Sequence, residues 1–141
     1  MVDELRVLLE SICRKEGIEL EWAVLDVARS VWVDQYGLIQ VFLNLAKNSR
    51  RALENASVKR IRITTVQENH FLVIRFEDTG PGISHPETLF RAFQRDAKAT
   101  GLGLYVSRAL MKGFGGDLTF EPQEQGCCFA VTLQTPMQET M

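Results

Sequence analysis

The sequence predicts an α+β fold: a two-layer sandwich with a mixed, mainly antiparallel sheet covered on one face by helices. Three observations carry this. First, two neighbouring runs alternate. Ile61, Ile63 and Thr65 interleave with Arg60, Arg62 and Thr64, then Leu72, Ile74 and Phe76 with Phe71, Val73 and Arg75, across a hairpin-sized gap from Gln67 to His70. Second, Asp117 to Glu121 and Cys128 to Leu133 read as two more strands joined by a turn holding Pro122 and Gly126. Third, helical periodicity falls between these pairs rather than after each strand, which favours antiparallel runs on a helix layer over a βαβ series.

The elements follow in order. Leu5, Leu8, Leu9 and Ile12 repeat at helical spacing and Gly17 supplies a stop. Ile18, Leu20, Trp22 and Val24 alternate with Glu19, Glu21 and Ala23 as a half-exposed strand, and Val31-Trp32-Val33 is a short apolar one. Asp34 is placed to cap the next helix, its carboxylate accepting first-turn N–H groups. Residues 84–100 show no long period and read as a mobile segment with one helical turn around Glu87 to Phe93, and loops this long in a compact domain usually carry function. After Gly103 the stretch LYVSRALMKGF is helical, with Leu104, Val106, Ala109 and Leu110 apolar, and it stops between Gly113 and Gly116.

With 141 residues, the chain has room for one domain with a real core. A formal net charge of −2 implies no general polyanion-binding surface, so nucleic acid is not an expected partner. No apolar run is long enough to cross a bilayer and no membrane contact is expected; MVDELRVLLE reads as an acidic amphipathic helix rather than a signal peptide. The three cysteines, Cys13, Cys127 and Cys128, are odd in number and two are adjacent, which makes a poor disulfide framework and no metal site. They are expected to be reduced, buried thiols of a cytoplasmic chain, whether or not the parent protein is membrane-anchored.

Gln40 to Leu53, QVFLNLAKNSRRAL, is the most informative stretch. At 100° per residue, Gln40, Asn44, Lys47, Asn48 and Arg51 form one narrow stripe, while Val41, Phe42, Leu45, Ala46, Ser49, Ala52 and Leu53 cover most of the rest. Two asparagines a turn apart on a mostly buried helix are costly unless their amides are satisfied, and the flanking Lys47 and Arg51 point to something anionic.

Here the chain resembles a known family. Asn44-x-x-x-Asn48 after Gln40-Val41 is similar to the N box of sensor histidine kinases in the GHKL ATPase superfamily. Asp78-Thr79-Gly80-Pro81-Gly82-Ile83 resembles the G1 box, Leu89-Phe90-Arg91-Ala92-Phe93 the F box, and Gly101-Leu102-Gly103-Leu104 the G2 box. Each box alone is weak; four in order with family-like spacing are specific. The Gln-Val form of the N box is most similar to the nitrogen- and oxygen-sensing kinases. The family often has a further glycine where Ala99 stands, which bears on the hinge of the lid.

The resemblance implies the Bergerat-type ATPase fold, with ATP and Mg²⁺ held between the helix layer and a lid. Asp78 then accepts a hydrogen bond from the adenine amino group, which guanine cannot supply. Gly80 and Gly82 let the backbone approach the base, Pro81 stiffens the turn and Ile83 packs on the base face. Thr100, Gly101, Leu102, Gly103 and Leu104 form the phosphate side, where glycines and a helix start present free N–H groups. Asn48 is the expected Mg²⁺ ligand through its amide oxygen. Lys47 and Arg51 meet phosphates, and Lys98 closes from the lid. Phe90 and Phe93 pack the lid against the body, so that Phe93 belongs to the nucleotide site through the lid. Gln40, Asn44 and Lys47 make the catalytic group. In the hydrolases of the superfamily, a water-activating glutamate stands where Asn44 is; the neutral amide cannot act as a general base, which favours phosphotransfer over hydrolysis.

The expected function is therefore the ATP-binding catalytic domain of a two-component sensor histidine kinase. It would transfer the γ-phosphoryl to a histidine on a separate phosphoacceptor helical hairpin of a dimeric parent, which in turn serves a response regulator receiver domain. The alternatives are a serine-directed kinase of the anti-sigma type, whose usual glutamate is missing at Asn44, and a degenerate nucleotide-gated interaction module, against which Asp78, Asn48 and the glycines stand. The expected layout is a catalytic domain over residues 1–136, with residues 1–16 a linker-like helix entering from the hairpin and residues 137–141 a tail. Alone the chain is expected to bind ATP without autophosphorylating, because His70 and His85 both sit in loops.

Overall fold

The computed structural model describes residues 2–24, 35–82, 90 and 103–134. They form α1 (Val2–Glu16), β1 (Glu19–Ala23), α2 (Gln35–Leu53), β2 (Arg60–Glu68), β3 (Phe71–Asp78), α3 (Gly103–Gly113), β4 (Asp117–Glu121) and β5 (Cys127–Gln134). The expected strand at Val31 to Val33, the Asp34 cap, the segment 84–100 apart from Phe90, and the tail lie outside the described residues.

The sheet order is β1-β2-β3-β5-β4, with β1 parallel to β2 and every other pair antiparallel. The expected mixed, mainly antiparallel sheet is what forms. Alternation along each strand decides which face meets the helices: Ile61 and Ile63, Leu72, Ile74 and Phe76, Phe129, Val131 and Leu133 join the core with Leu9, Phe42, Leu45 and Met111. The opposite face carries ion pairs, Arg60 to Glu19 and Glu21, Arg62 to Glu21, and Arg75 to Glu121. Exposed pairs of this kind contribute little to stability and chiefly keep that face wet.

Each helix ends where its sequence provides. After α1, Gly17 adopts φ 67°, the Ile18 N–H donates to the Cys13 carbonyl at 2.8 Å and the Gly17 N–H to that of Arg14 at 3.4 Å. That left-handed closure is the glycine stop expected from sequence. α3 closes similarly, with Gly115 at φ 76° and the Gly116 N–H donating to the Met111 carbonyl at 2.9 Å.

Several boundaries and faces differ from expectation. β2 continues to Glu68 and β3 starts at Phe71, so Asn69 and His70 alone make the turn, with Asn69 at φ 53°. Asparagine tolerates that left-handed conformation, which lets the ladder run further than the polar residues suggested. β5 starts at Cys127, one residue early. On α1, Leu8 of the apolar repeat is exposed. On α3, Ser107 and Met111 are buried while Val106 and Ala109 are exposed. The apolar residues of α3 alone do not mark its buried face because α3 turns the Ser107 hydroxyl toward Asn44 on α2. The three cysteines are buried and free, and burial pushes the Cys13 thiol to about 11 and those of Cys127 and Cys128 to about 12. Thiols held so high are unreactive core packing. Among the described residues, no helix is long and apolar enough to cross a membrane.

Candidate functional site

Two contacts set α3 against α2. At one end, the Phe114 ring lies so close to Gly37 that a Cβ there would strike it. At the other, the Asn44 Nδ2 donates to the Ser107 Oγ at 2.9 Å and to the Gly103 carbonyl at 3.4 Å. The start of α2 thus meets the end of α3, and the two helices run antiparallel. That pairing carries the N-terminus of α3, with its free amides and positive dipole end, to the stretch of α2 that bears Asn44 and Asn48. Gln40 completes the chain by donating to the Asn44 Oδ1 at 3.2 Å. Both ends of the Asn44 amide are thereby engaged.

A second tie joins α2 to the centre of the sheet. Asp78 is the last residue of β3, flanked in register by Ile61 and Cys127, and is only 8% exposed. Its Oδ2 accepts from the Ser49 hydroxyl at 2.8 Å and its Oδ1 from the Gly80 N–H at 3.0 Å. Burial raises its pKa; the hydrogen bonds from Ser49 and Gly80 pull the other way. Around it the backbone is pressed tight. A Cβ on Gly80 would stand 3.1 Å from that of Ala52, and one on Gly82, at φ 83°, would stand 3.0 Å from the Gly126 carbonyl oxygen. Thr79 clasps the strand end, its hydroxyl donating to the Val58 carbonyl at 2.8 Å and accepting from the Arg60 N–H at 3.0 Å.

Asn48 is half-buried, and its Nδ2 is a buried side-chain atom without a hydrogen-bond partner, the one such atom among the described residues. The orphan is the donor side of the amide, and a buried N–H2 without an acceptor is costly. Among the described residues, nothing lies within 4 Å of where a Cβ on Gly103 would stand. Leu104 packs partly buried beside it.

Of the expected site residues, contacts on α2 tie together Gln40, Asn44, Gly103, Asp78 and Gly80; Asn48 lies on the same helix, Gly82 packs on Gly126, and Leu104 follows Gly103 at the start of α3. Lys47 is exposed on the same helix. Arg51 instead lines a cavity of about 170 Å³ shared with Glu16, Arg50 and Lys59, on the α1 side. Ile83, Phe93, Lys98, Thr100, Gly101 and Leu102 lie outside the described residues. Phe90 packs on the body as expected, edge-on to Phe129 at 6.3 Å and under the Arg108 guanidinium at 4.9 Å. Arg108 is fixed in turn by Asp117, its Nε donating at 3.2 Å.

Sequence reasoning missed Ser49, Ser107 and Gly126. The two serines were hidden within apolar faces, where a buried hydroxyl is itself the signal of a partner elsewhere. Gly126 passed as an ordinary turn residue, yet at φ 81° it presses its Cα against the backbone of Asp78 and Thr79.

The chain belongs to the histidine kinase-, DNA gyrase B-, and HSP90-like ATPase family, whose model matches residues 33–137. It is 34% identical over 137 residues to the two-component sensor PprA of Pseudomonas aeruginosa, covering 89% of this chain and 15% of PprA. It is 32% identical over 138 residues to the signal transduction histidine-protein kinase BarA of Escherichia coli, covering 86% of this chain and 15% of BarA. The chain thus spans about 15% of the length of these relatives. Among solved structures it resembles the catalytic domain of histidine kinase ThkA, with TM-score 0.79, 28% identity and coverage of 95% and 90% of the two chains. It also resembles full-length ShkA in complex with AMPPNP, with TM-score 0.73, 26% identity and coverage of 96% and 30%.

Proposed function

We propose that this chain is the ATP-binding catalytic domain of a two-component sensor histidine kinase, which supplies the γ-phosphoryl group to a histidine on a phosphoacceptor hairpin elsewhere in the parent protein. The observation that supports it best is the buried Asp78 carboxylate at a strand end, tied through Ser49 to the helix whose Asn44 reaches Gly103 at the start of α3 and which also bears Asn48. In this reading Asp78 receives the adenine amino group, while Gly80 and Gly82 admit the base without a Cβ in the way. The amides at the start of α3 receive phosphate oxygens.

Mg²⁺ fits the residues present. Among the described residues no trio of His, Cys, Asp or Glu side chains forms a metal cage. The ion that suits this site is one carried mainly by phosphate oxygens and water, with Asn48 adding a neutral amide ligand. When bound, Mg²⁺ neutralises charge on the phosphates. The protein's own contribution is positioning. Gln40 and Ser107 hold the Asn44 amide in place, and neither Asn44 nor Gln40 can take a proton from water. Lys47 stands exposed on the same helix as a counter-charge. Lys98, Thr100 and Phe93, in the segment before Gly101, complete the proposed set, with Ile83 on the base; Arg51, which lines the cavity on the α1 side, is left out of it. In-line transfer then awaits an acceptor brought by the parent's hairpin, with a response regulator receiver domain next in line and a cytoplasmic setting for the reaction.

Calorimetry with ATP, with and without Mg²⁺, tests the binding reading. Asp78→Asn is expected to weaken ATP binding by about 1.5–3 kcal/mol, the worth of a charge-assisted hydrogen bond. Unchanged affinity in that variant would refute the site. Labelled phosphate on an added hairpin fragment separates a kinase from a nucleotide-gated interaction module.

A further inference from the structure

The geometry points to Ser49 as the residue that sets purine selectivity, by holding the Asp78 carboxylate as an acceptor. This rests on the reading of Asp78 as the adenine contact. The hydroxyl of Ser49 is 2% exposed and donates to the Asp78 Oδ2 at 2.8 Å, while the Gly80 N–H donates to Oδ1 at 3.0 Å. Each oxygen keeps a free lone pair for an incoming amino group. No cation is paired with this carboxylate among the described residues. The groups that face it are Ser49 from α2, Gly80 from the following loop, and from β5 the Cys127 thiol, which is held near 12 and stays neutral; β2 offers only Ile61 in register.

A buried carboxylate without a cation tends toward its protonated form, and burial does raise this one. A protonated carboxyl can donate. It would then satisfy the carbonyl of guanine as well as accept from the amino group of adenine, and discrimination would fade. The Ser49 hydroxyl opposes that change at one oxygen and the Gly80 amide at the other. Ala52, one turn-face along α2, packs against Gly80 and keeps the second donor in place. One side of α2 therefore fixes both the charge state and the orientation of the carboxylate.

The test measures Mg-ATP binding and its competition by Mg-GTP from pH 5 to 8 in the wild-type chain, Ser49→Ala, Ser49→Cys and Asp78→Asn. Ser49→Ala is expected to raise the protonated-to-ionised ratio of Asp78 about tenfold at a given pH, one pK unit of differential interaction, so its preference for ATP over GTP should fade at a higher pH than in the wild type. Its ATP affinity should also begin to fall at a higher pH than in the wild type. Ser49→Cys, similar in size but a weaker donor, should fall between them. Unchanged preference and pH profile in a folded Ser49→Ala variant overturns the proposal. If Ser49→Ala lacks a cooperative melt, Ser49→Cys decides, and a wild-type preference there overturns it. Asp78→Asn separates the two levels. If it abolishes the preference while the Ser49 variants do not alter it, Ser49 alone is misassigned; if it leaves the preference intact, the adenine contact itself is misplaced and the Ser49 proposal falls with it.

Discussion

Gly126→Ala should damage both stability and nucleotide binding, and two other glycines allow its effect to be resolved. Gly126 has φ 81°, and an added Cβ would overlap the Asp78 carbonyl oxygen and stand 3.2 Å from the carbonyl carbon and 3.5 Å from the Thr79 Cα. Gly17 has φ 67° and Gly103 has no positive φ, and among the described residues nothing lies within 4 Å of a Cβ added at either. Gly17→Ala therefore isolates the backbone cost, about 1 kcal/mol for a side chain in the left-handed region. Gly103→Ala, at a helix start, should cost no stability and serves as a control for the melts alone, because Gly103 belongs to the proposed phosphate site. Gly126→Ala adds an overpacking term of about 2 kcal/mol, because what must yield is central-strand backbone rather than a flexible side chain. The sum is about 3 kcal/mol, or roughly 10 °C in melting temperature for a chain of this size. The same shift displaces the Asp78 carboxylate, so ATP affinity should fall by about tenfold or more, part or all of a charged hydrogen bond. Thermal melts on the three variants, with ATP calorimetry on Gly126→Ala and Gly17→Ala, are the assay. A Gly126→Ala loss no larger than that of Gly17→Ala, with full ATP affinity, would refute the close contact between this turn and Asp78.

Three further outcomes follow from the same geometry. Burial raises the Asp78 pKa in the folded chain, so the stability this gives is present at low pH and lost as pH rises through the folded-state value; the charged group is a cost near neutrality. Asp78→Asn should then melt higher than wild type at pH 7 while losing ATP, and a lower melting temperature would show that the Ser49 and Gly80 bonds outweigh burial. A double-mutant cycle on Asn44→Ala and Ser107→Ala should give a coupling of about 0.5–1.5 kcal/mol, and additivity would mean that the 2.9 Å contact contributes nothing. Incubated alone with γ-labelled ATP, the chain should gain no acid-labile, base-stable label and release phosphate slowly. His70 lies in the turn before β3, a strand length of about 25 Å from Asp78 at the other end, and Asn44 offers no base. Either a labelled chain or brisk hydrolysis contradicts this.

By itself the sequence determined the class of fold, the β2–β3 hairpin, the buried α2 with its polar stripe, the glycine stop after α1 and the family to which the chain belongs. These are local signals: a period of two or of 3.6, a turn residue, a motif in order. Only the tertiary structure decided how the pieces meet. Periodicity records that a face is buried and not what buries it. Ser49 and Ser107 looked like small members of apolar faces until bonds across 29 and 63 residues joined them to Asp78 and Asn44. Gly126 looked like any turn glycine until β5 brought it against the end of β3. Arg51 shared the stripe with Asn48, yet it lines the cavity toward α1, because position on a helix fixes where a long side chain starts and its neighbours fix where it ends. The antiparallel docking of α3 on α2 is of the same kind. It depends on the Phe114 ring over Gly37 and on one amide reaching a hydroxyl, contacts between residues far apart in the chain that leave no mark in either helix alone.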